Sequence, residues 1–96
     1  MKSNLELHVD MLRDLEYHGP MQISNLYEKT KIDELTLKKH LEFLVQNGLV
    51  EKQSINKVRV LYVITKRGQM LLNLFLQLKN DLESEAYASI KKGIIK

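Results

Sequence analysis

Residues 33–50 read Asp33-Glu34-Leu35-Thr36-Leu37-Lys38-Lys39-His40-Leu41-Glu42-Phe43-Leu44-Val45-Gln46-Asn47-Gly48-Leu49-Val50, followed by Glu51-Lys52 and then by the alternating run Val58 to Ile64. Asp33 opens the stretch as a helix cap, because its carboxylate can accept from backbone N–H groups that have no partner in the first turn. Leu37, Leu41 and Leu44, spaced by four and three, then set one inward line on a helix. Asn47-Gly48-Leu49 predicts its end: glycine tolerates the left-handed conformation just past a helix, and the following leucine packs back on the last turn. From Val50 the apolar period drops to two, the strand signal. Val58, Val60, Tyr62 and Ile64 share one face of the second strand, Arg59, Leu61 and Val63 the other, and Ser54-Ile55-Asn56-Lys57 is the turn between strands. Thr65 is placed to cap a further helix.

Upstream, Ser3 and Glu6 have capping-box spacing, and Leu5, Val9, Leu12 and Leu15 recur at helical intervals until Gly19-Pro20 stops the chain. The other side of this first helix, Glu6, Asp10, Asp14 and Glu16, is acidic and is expected to face solvent rather than to form a paired-carboxylate site. Met21 to Ile23 supplies a short strand, Ser24 caps a second helix reaching Lys29 or Thr30, and Leu26 faces the core. Lys31-Ile32 makes the turn into the helix that begins at Asp33, with Ile32 as its apolar anchor. The second and third helices then form a helix-turn-helix and the hairpin lies beside it as a wing. The expected class is α+β, mostly α: three helices plus a β-hairpin wing over residues 3–68, a long helix over 65–91 and a tail over 92–96.

With 96 residues and 44% hydrophobic content the chain supports one domain with a modest core, for which a partner chain would be useful. The absence of cysteine excludes disulfides and thiolate metal sites. No apolar run approaches the roughly 20 residues of a membrane span, and Met1-Lys2-Ser3-Asn4-Leu5-Glu6 has no signal-peptide apolar region. These features predict a soluble, cytoplasmic and nucleoid-associated protein without a membrane partner. The formal charge is only +3, but it is unevenly spread. Residues 1–28 carry two basic and five acidic side chains, residues 29–67 nine basic and four acidic, and residues 68–96 four basic and three acidic. Positive charge is gathered on the segment with the helix-hairpin pattern, as a footprint for phosphates requires. Taken alone, the same lysines also suit an ordinary solvated face.

At about 100° per residue, with Leu37, Leu41 and Leu44 inward, the outer face of the third helix shows Leu35, Lys39, Glu42 and Gln46, flanked by Thr36, Phe43 and Lys38. The N-terminal part of such a helix goes deepest into a DNA groove, which favours Leu35, Thr36 and Lys39 for base edges. Lys39 is suited to guanine, Leu35 and Thr36 to a thymine methyl, and Glu42 to the cytosine amino group. Lys31 and Lys38 are expected on phosphates. In the wing, Lys57 and Arg59, with Lys52 and Asn56 near them, are the natural contacts for backbone or minor groove. The same basic residues also serve on edge strands to discourage aggregation. His8, His18 and His40 lie on different elements, without cysteine or the i, i+4 pairing of a helical zinc site, so no metal is expected. His40 is expected as a hydrogen-bonded structural histidine or a phosphate contact. No nucleophile elbow or glycine-rich phosphate loop is present in the sequence, so neither catalysis nor a cofactor is expected.

From Met70 to Leu78 seven of nine residues are large and apolar. A helix apolar nearly all round is buried nearly all round, and one chain of this size cannot cover it. Leu71, Phe75, Leu78 and Leu82, continued by Ala86 and Ile90, approximate a coiled-coil seam. A helix from Thr65 to Ile90 is about 40 Å long, so its far half is expected to project and pair with a second copy as a homodimer. Two recognition helices would then meet half-sites about one helical turn of DNA apart, or a multiple of it.

Ile23-Ser24-Asn25-Leu26, Ile32, Thr36-Leu37-Lys38-Lys39-His40-Leu41, Gly48-Leu49-Val50 and Tyr62-Val63-Ile64-Thr65-Lys66-Arg67-Gly68-Gln69-Met70-Leu71-Leu72 together resemble the winged helix-turn-helix regulators of bacteria and archaea. The closing run is similar to that of small archaeal winged-helix proteins, including the ten-kilodalton chromatin protein type that dimerises by a C-terminal coiled coil. The resemblance covers about residues 5–82 and implies binding of double-stranded DNA as a homodimer. It implies contacts from Leu35, Thr36, Lys38, Lys39, Lys57 and Arg59. A transcriptional regulator is the leading expectation, an architectural DNA-binding protein the second. A protein-interaction module using Phe43 and the Met70 to Leu78 stripe is the rival from another class.

Overall fold

Each helix start in the computed structural model, which describes residues 3–83, is fixed by a short-range hydrogen bond. In α1 (Asn4–His18) the Ser3 hydroxyl accepts from the Glu6 N–H while the Glu6 carboxylate accepts from the Ser3 N–H, closing the predicted capping box. Its end is Gly19, at φ 81°, whose N–H donates to the Leu15 carbonyl. In α2 (Ile23–Thr30) the cap is Gln22 rather than Ser24: its N–H donates to Asn25 Oδ1 at 3.1 Å. The helix therefore starts earlier than the side-chain chemistry of Ser24 suggests. Just before the cap, Met21 exchanges both backbone hydrogen bonds with Tyr62 at 3.1 and 2.8 Å. The expected Met21 to Ile23 strand is thus reduced to a single bridge.

In α3 (Glu34–Gln46) Asp33 is the cap, accepting from the Thr36 N–H at 3.0 Å and from the Thr36 hydroxyl at 2.7 Å. The helix closes as predicted, with Gly48 at φ 72°; Gly48 N–H donates to the Val45 carbonyl and Leu49 N–H to that of Leu44. β1 (Val50–Ser54) pairs antiparallel with β2 (Val60–Ile64), Val50 opposite Ile64, Lys52 opposite Tyr62 and Ser54 opposite Val60. The connection spans residues 55–59, where Asn56 Oδ1 accepts from the N–H groups of Val58 and Arg59 at 2.9 and 2.8 Å. Val58, expected on the second strand beside Val60, Tyr62 and Ile64, lies in this connection and is 90% exposed. α4 (Lys66–Glu83) is capped by Thr65, whose hydroxyl accepts from the Gly68 N–H at 3.0 Å. Its predicted continuation to residue 91, Ala86 included, and the tail over 92–96 lie outside the described residues.

The core is a single cluster in which Met11, Leu12 and Leu15 of α1 meet Leu26 of α2 and Leu37, Leu41 and Leu44 of α3. Leu49, Val50, Tyr62 and Leu72 close it from the hairpin and α4. Fully burying a side chain such as leucine contributes about 1.5–3 kcal/mol, so the three inward leucines of α3 outweigh any single cap in holding that helix. The inward line of α1 differs from expectation at its start. Leu5 is 60% exposed, and Leu7 and Met11 are buried instead, because the first turn of α1 runs to the edge of a groove formed with α3 and α4.

One junction ties these elements together. The Thr65 hydroxyl donates to the Gly48 carbonyl at 2.6 Å and the Thr65 N–H to the Leu49 carbonyl at 3.0 Å, so the end of α3 and the start of α4 meet at the base of the hairpin. Gly68, in the first turn of α4, lies against the Leu49 carbonyl, where a Cβ would collide with that oxygen and with the Ile64 side chain. Overpacking of this kind costs about 1–3 kcal/mol. Gly68→Ala is therefore expected to lower the free energy of unfolding by that amount in urea titrations, although alanine normally favours a helix.

Candidate nucleic-acid interface

The outer side of α3 and the wing face one shallow groove. Its walls are Glu34, Leu35 and Lys38 from α3, Lys52, Val58, Val60 and Tyr62 from the hairpin, and the residues at the start of α2. Leu35 is 66% exposed although it lies next in sequence to Glu34 and Thr36 on a helix whose opposite face is wholly buried. Lys38, Lys39, Glu42, Lys57 and Arg59 are all exposed. The sequence-predicted residues therefore fall into four places. Leu35 and Lys38 are brought together with the hairpin across the groove; Lys39 and Glu42 continue the same helix; and Lys57 and Arg59 stand at its far end in the β1–β2 connection. Lys31 is separate, in the turn between α2 and α3, where it takes a left-handed conformation at φ 59°.

Two predicted contacts have part of their polar capacity engaged within the fold. The Thr36 hydroxyl donates to Asp33, which leaves its methyl and its oxygen lone pairs for a ligand. Asn56 Oδ1 is occupied by two backbone N–H groups, leaving the amide NH2 as its donor. Electrostatics follow these contacts. Hydrogen bonds from Thr36, first the hydroxyl and then the backbone N–H, hold the Asp33 carboxyl below its ordinary value, with Lys39 adding to the same direction. Burial pushes the Tyr62 phenol up, and the charge of Glu42 adds to it. With a neutral Tyr62 under the groove, two lysines, Lys38 and Lys52, against the single carboxylate of Glu34 give the lining a net positive charge, suited to an anionic ligand.

The groove also contains residues that reading the sequence does not single out as contacts. Gln22, Ile23 and Ser24 line it, so the start of α2 stands beside the start of α3. Local chemistry makes Ser24 a helix cap, and only the Met21 to Tyr62 bridge moves the cap to Gln22 and turns Ser24 outward. A second juxtaposition is equally hidden. His8 of α1 and His40 of α3 meet at 2.9 Å between Nε2 and Nδ1, and Phe43 stacks on the His8 ring with centroids 4.8 Å apart. His18 lies apart, edge-on to Tyr17. Among the described residues no group of three histidine, cysteine or carboxylate side chains is arranged to hold a metal ion, and no helix is long and apolar enough to cross a membrane.

This order of elements, with a recognition-type helix and a hairpin on one side and a long helix on the other, defines a winged helix-turn-helix. A family model for the winged helix-turn-helix matches residues 2–83, and the chain belongs to that family. Solved structures agree on the fold. A MarR family protein from Bacillus stearothermophilus superposes with a TM-score of 0.67 at 18% identity, over 92% of this chain and 67% of that one. The reduced form of the transcriptional regulator YodB from B. subtilis gives 0.66 at 26% identity, over 90% and 84%. RV1404 from Mycobacterium tuberculosis gives 0.62 at 18% identity, and the chain spans 82% of itself but 60% of that protein. No curated protein sequence matches the chain.

The Asp33 cap yields a signed pH dependence. Its folded value lies below the ordinary 3.8, so its contribution is complete above that pH and is lost as pH falls through the depressed value. Melting of the wild type and of Asp33→Asn, followed by circular dichroism between pH 7 and pH 2, is expected to diverge only below about 3.8, where the wild type loses this cap and the asparagine, itself a good cap, does not.

Proposed function

We propose that the chain binds double-stranded DNA as a homodimer and acts as a transcriptional regulator of the cytoplasm and nucleoid. In this reading residues 3–68 are the DNA-binding unit, α3 lies in the major groove, and the wing touches the adjacent backbone or minor groove. The observation that carries it is the groove between α3 and the hairpin, with Lys38 and Lys52 on opposite walls and Leu35 open between them. Lys39, Thr36 and Glu42 read base edges beside Leu35; Lys31, Lys38, Asn56, Lys57 and Arg59 position the backbone. The likeness to MarR-family and related regulators favours regulation. An architectural role like that of the small archaeal chromatin proteins is the second reading. It is favoured by the lack of arginine on α3, since arginine is the commonest bidentate reader of guanine.

Dimerisation rests on α4. Of its large apolar residues only Leu72 is buried, while Met70, Leu74 and Leu78 are 60%, 61% and 56% exposed and Leu71 and Leu82 are close behind. One chain covers one line of this helix, and in this reading the seam of Leu71, Phe75, Leu78 and Leu82 is left for a second copy.

Lys39→Ala is expected to weaken duplex binding by about 1–3 kcal/mol if Lys39 reads a base. The double variant Lys57→Ala, Arg59→Ala should reduce the slope of log affinity against log salt by about two, one for each phosphate that is no longer neutralised. An unchanged slope removes the wing from the interface. Selection from random duplexes separates the two DNA readings, a regulator returning an enriched motif and a specific-to-non-specific ratio of at least about 10³. Sedimentation of the wild type is expected to report a dimer, and Leu78→Glu a monomer with weaker DNA binding. A monomeric wild type defeats the α4 assignment.

A further inference from the structure

His8 and His40 join α1 to α3 by a side-chain hydrogen bond, and it is made between two imidazoles, the side chain whose charge changes most readily with pH. Two neutral imidazoles carry two ring protons. One lies in the His8 Nε2 to His40 Nδ1 bond, and the other is held on an outer nitrogen of the pair. A third proton can be taken up on the remaining outer nitrogen, leaving the N–H···N bond intact. A fourth has nowhere to go but the shared contact, where it sets N–H against N–H between two cations at 2.9 Å. The bond must then open.

The groove beside His8 offers no compensation for that charge. His8 stands at the edge of an apolar groove of about 140 Å³ whose other walls are Leu5, Val9 and Leu12 of α1, Phe43 and Leu44 of α3, Leu49, and Leu71, Leu72 and Phe75 of α4. None of these carries a charge. The positions one turn away from His8 on α1 are Asn4, Leu5, Met11 and Leu12, and those one turn from His40 on α3 are Thr36, Leu37, Phe43 and Leu44, all uncharged. Among the residues lining the groove His8 is the one titratable group, and the charge that acts on it is that of His40. Burial, and secondarily the charge of His40, lower the His8 value from the ordinary 6.5. The groove is also too small for an ordinary small-molecule effector, for which about 300 Å³ or more is usual.

We propose that the His8–His40 pair is a proton-sensitive latch between α1 and the recognition helix: it holds α3 in place near neutral pH and releases it when both rings are protonated, weakening DNA binding. The effect on DNA rests on the function proposed above; the latch itself does not. The linkage has a definite sign. A histidine whose folded value is lowered binds fewer protons folded than unfolded, so stability falls as pH drops from about 6.5 and stops falling below the folded value.

Imidazole ¹⁵N and ¹H resonances of the full-length protein, followed from pH 8 to 4.5 with His18 as internal reference, test the latch directly. The expected result is a coupled titration of His8 and His40, with the His8 midpoint below 6.5 and moved upward in His40→Gln, whose amide keeps a hydrogen bond but takes no proton. Urea unfolding should lose less stability between pH 7.5 and 5.0 in His40→Gln than in the wild type, and His8→Gln should behave in the same way. Independent titration of the two rings, or parallel pH profiles of stability in all three proteins, overturns the latch. Duplex affinity measured at the same two pH values then reads its consequence. Weakening on acidification, by up to about tenfold per unit of lowered pKa, is expected in the wild type and should shrink in both variants. Binding that strengthens on acidification through His40 would mark that ring as a phosphate contact and overturn the release. No duplex binding at pH 7.5 would defeat the DNA reading instead, leaving the latch to be judged by the resonances.

Discussion

The arrangement of this chain depends on the place where three backbone directions meet at Gly48, Leu49 and Thr65. Thr65 donates from its hydroxyl to Gly48 and from its N–H to Leu49, while its hydroxyl oxygen also accepts from Gly68 to start α4. One side chain thereby closes the base of the hairpin, satisfies a carbonyl at the end of α3 and caps the next helix. Gly68 permits the close approach, because any Cβ there would enter the Leu49 carbonyl. The geometric consequence is that α3, the wing and α4 leave a common point and cannot be reoriented separately without breaking several of these bonds. In the proposed dimer this would be a functional constraint: rotation at the α4 seam would be carried directly to the spacing of the two recognition helices.

Much of this is legible in the sequence, and the reason differs from element to element. The Ser3 and Glu6 capping box, the Asp33 cap, the Gly48 closure and the Thr65 cap are written in residues one to three positions apart, and all four are present. The inward line of Leu37, Leu41 and Leu44 is set by helical period alone. Expectation and structure part where a long-range contact outweighs a local preference. Ser24 is the better capping residue, yet the Met21 to Tyr62 bridge starts α2 at Gln22. Leu5 fits the apolar spacing of α1, yet the neighbouring elements leave it at the lip of a groove.

The candidate interface is legible in its charge and its order along the chain, and much less so in its shape. Lys38, Lys39, Lys57 and Arg59 follow from period and composition, whereas the wall made by Gln22, Ile23 and Ser24 follows only from the way α2 docks against the hairpin. The histidine pair is the clearest case of information absent from the one-dimensional pattern. His8 and His40 are 32 positions apart, on helices that Leu12, Leu41 and Leu44 bring together in the core and that the histidine pair then joins at the surface.

The apolar surface explains why such a small chain tolerates an incomplete core. Its buried cluster engages only Leu72 fully from the large side chains of α4, with Phe75 and Leu76 partly covered, while Met70, Leu71, Leu74, Leu78 and Leu82 remain open. Exposed apolar area of this extent on a monomer favours association, and the row of Leu71, Phe75, Leu78 and Leu82 gives that association a helical direction. Phe43, 49% exposed and stacked on His8, lies at the same groove as Leu71 and Phe75. The apolar face thus extends from α4 onto the back of the recognition helix, and a second copy seated on α4 would shelter the His8–His40 contact from water. Burial of that kind would raise the cost of charging the pair, so the proposed dimer and the proposed latch would reinforce one another.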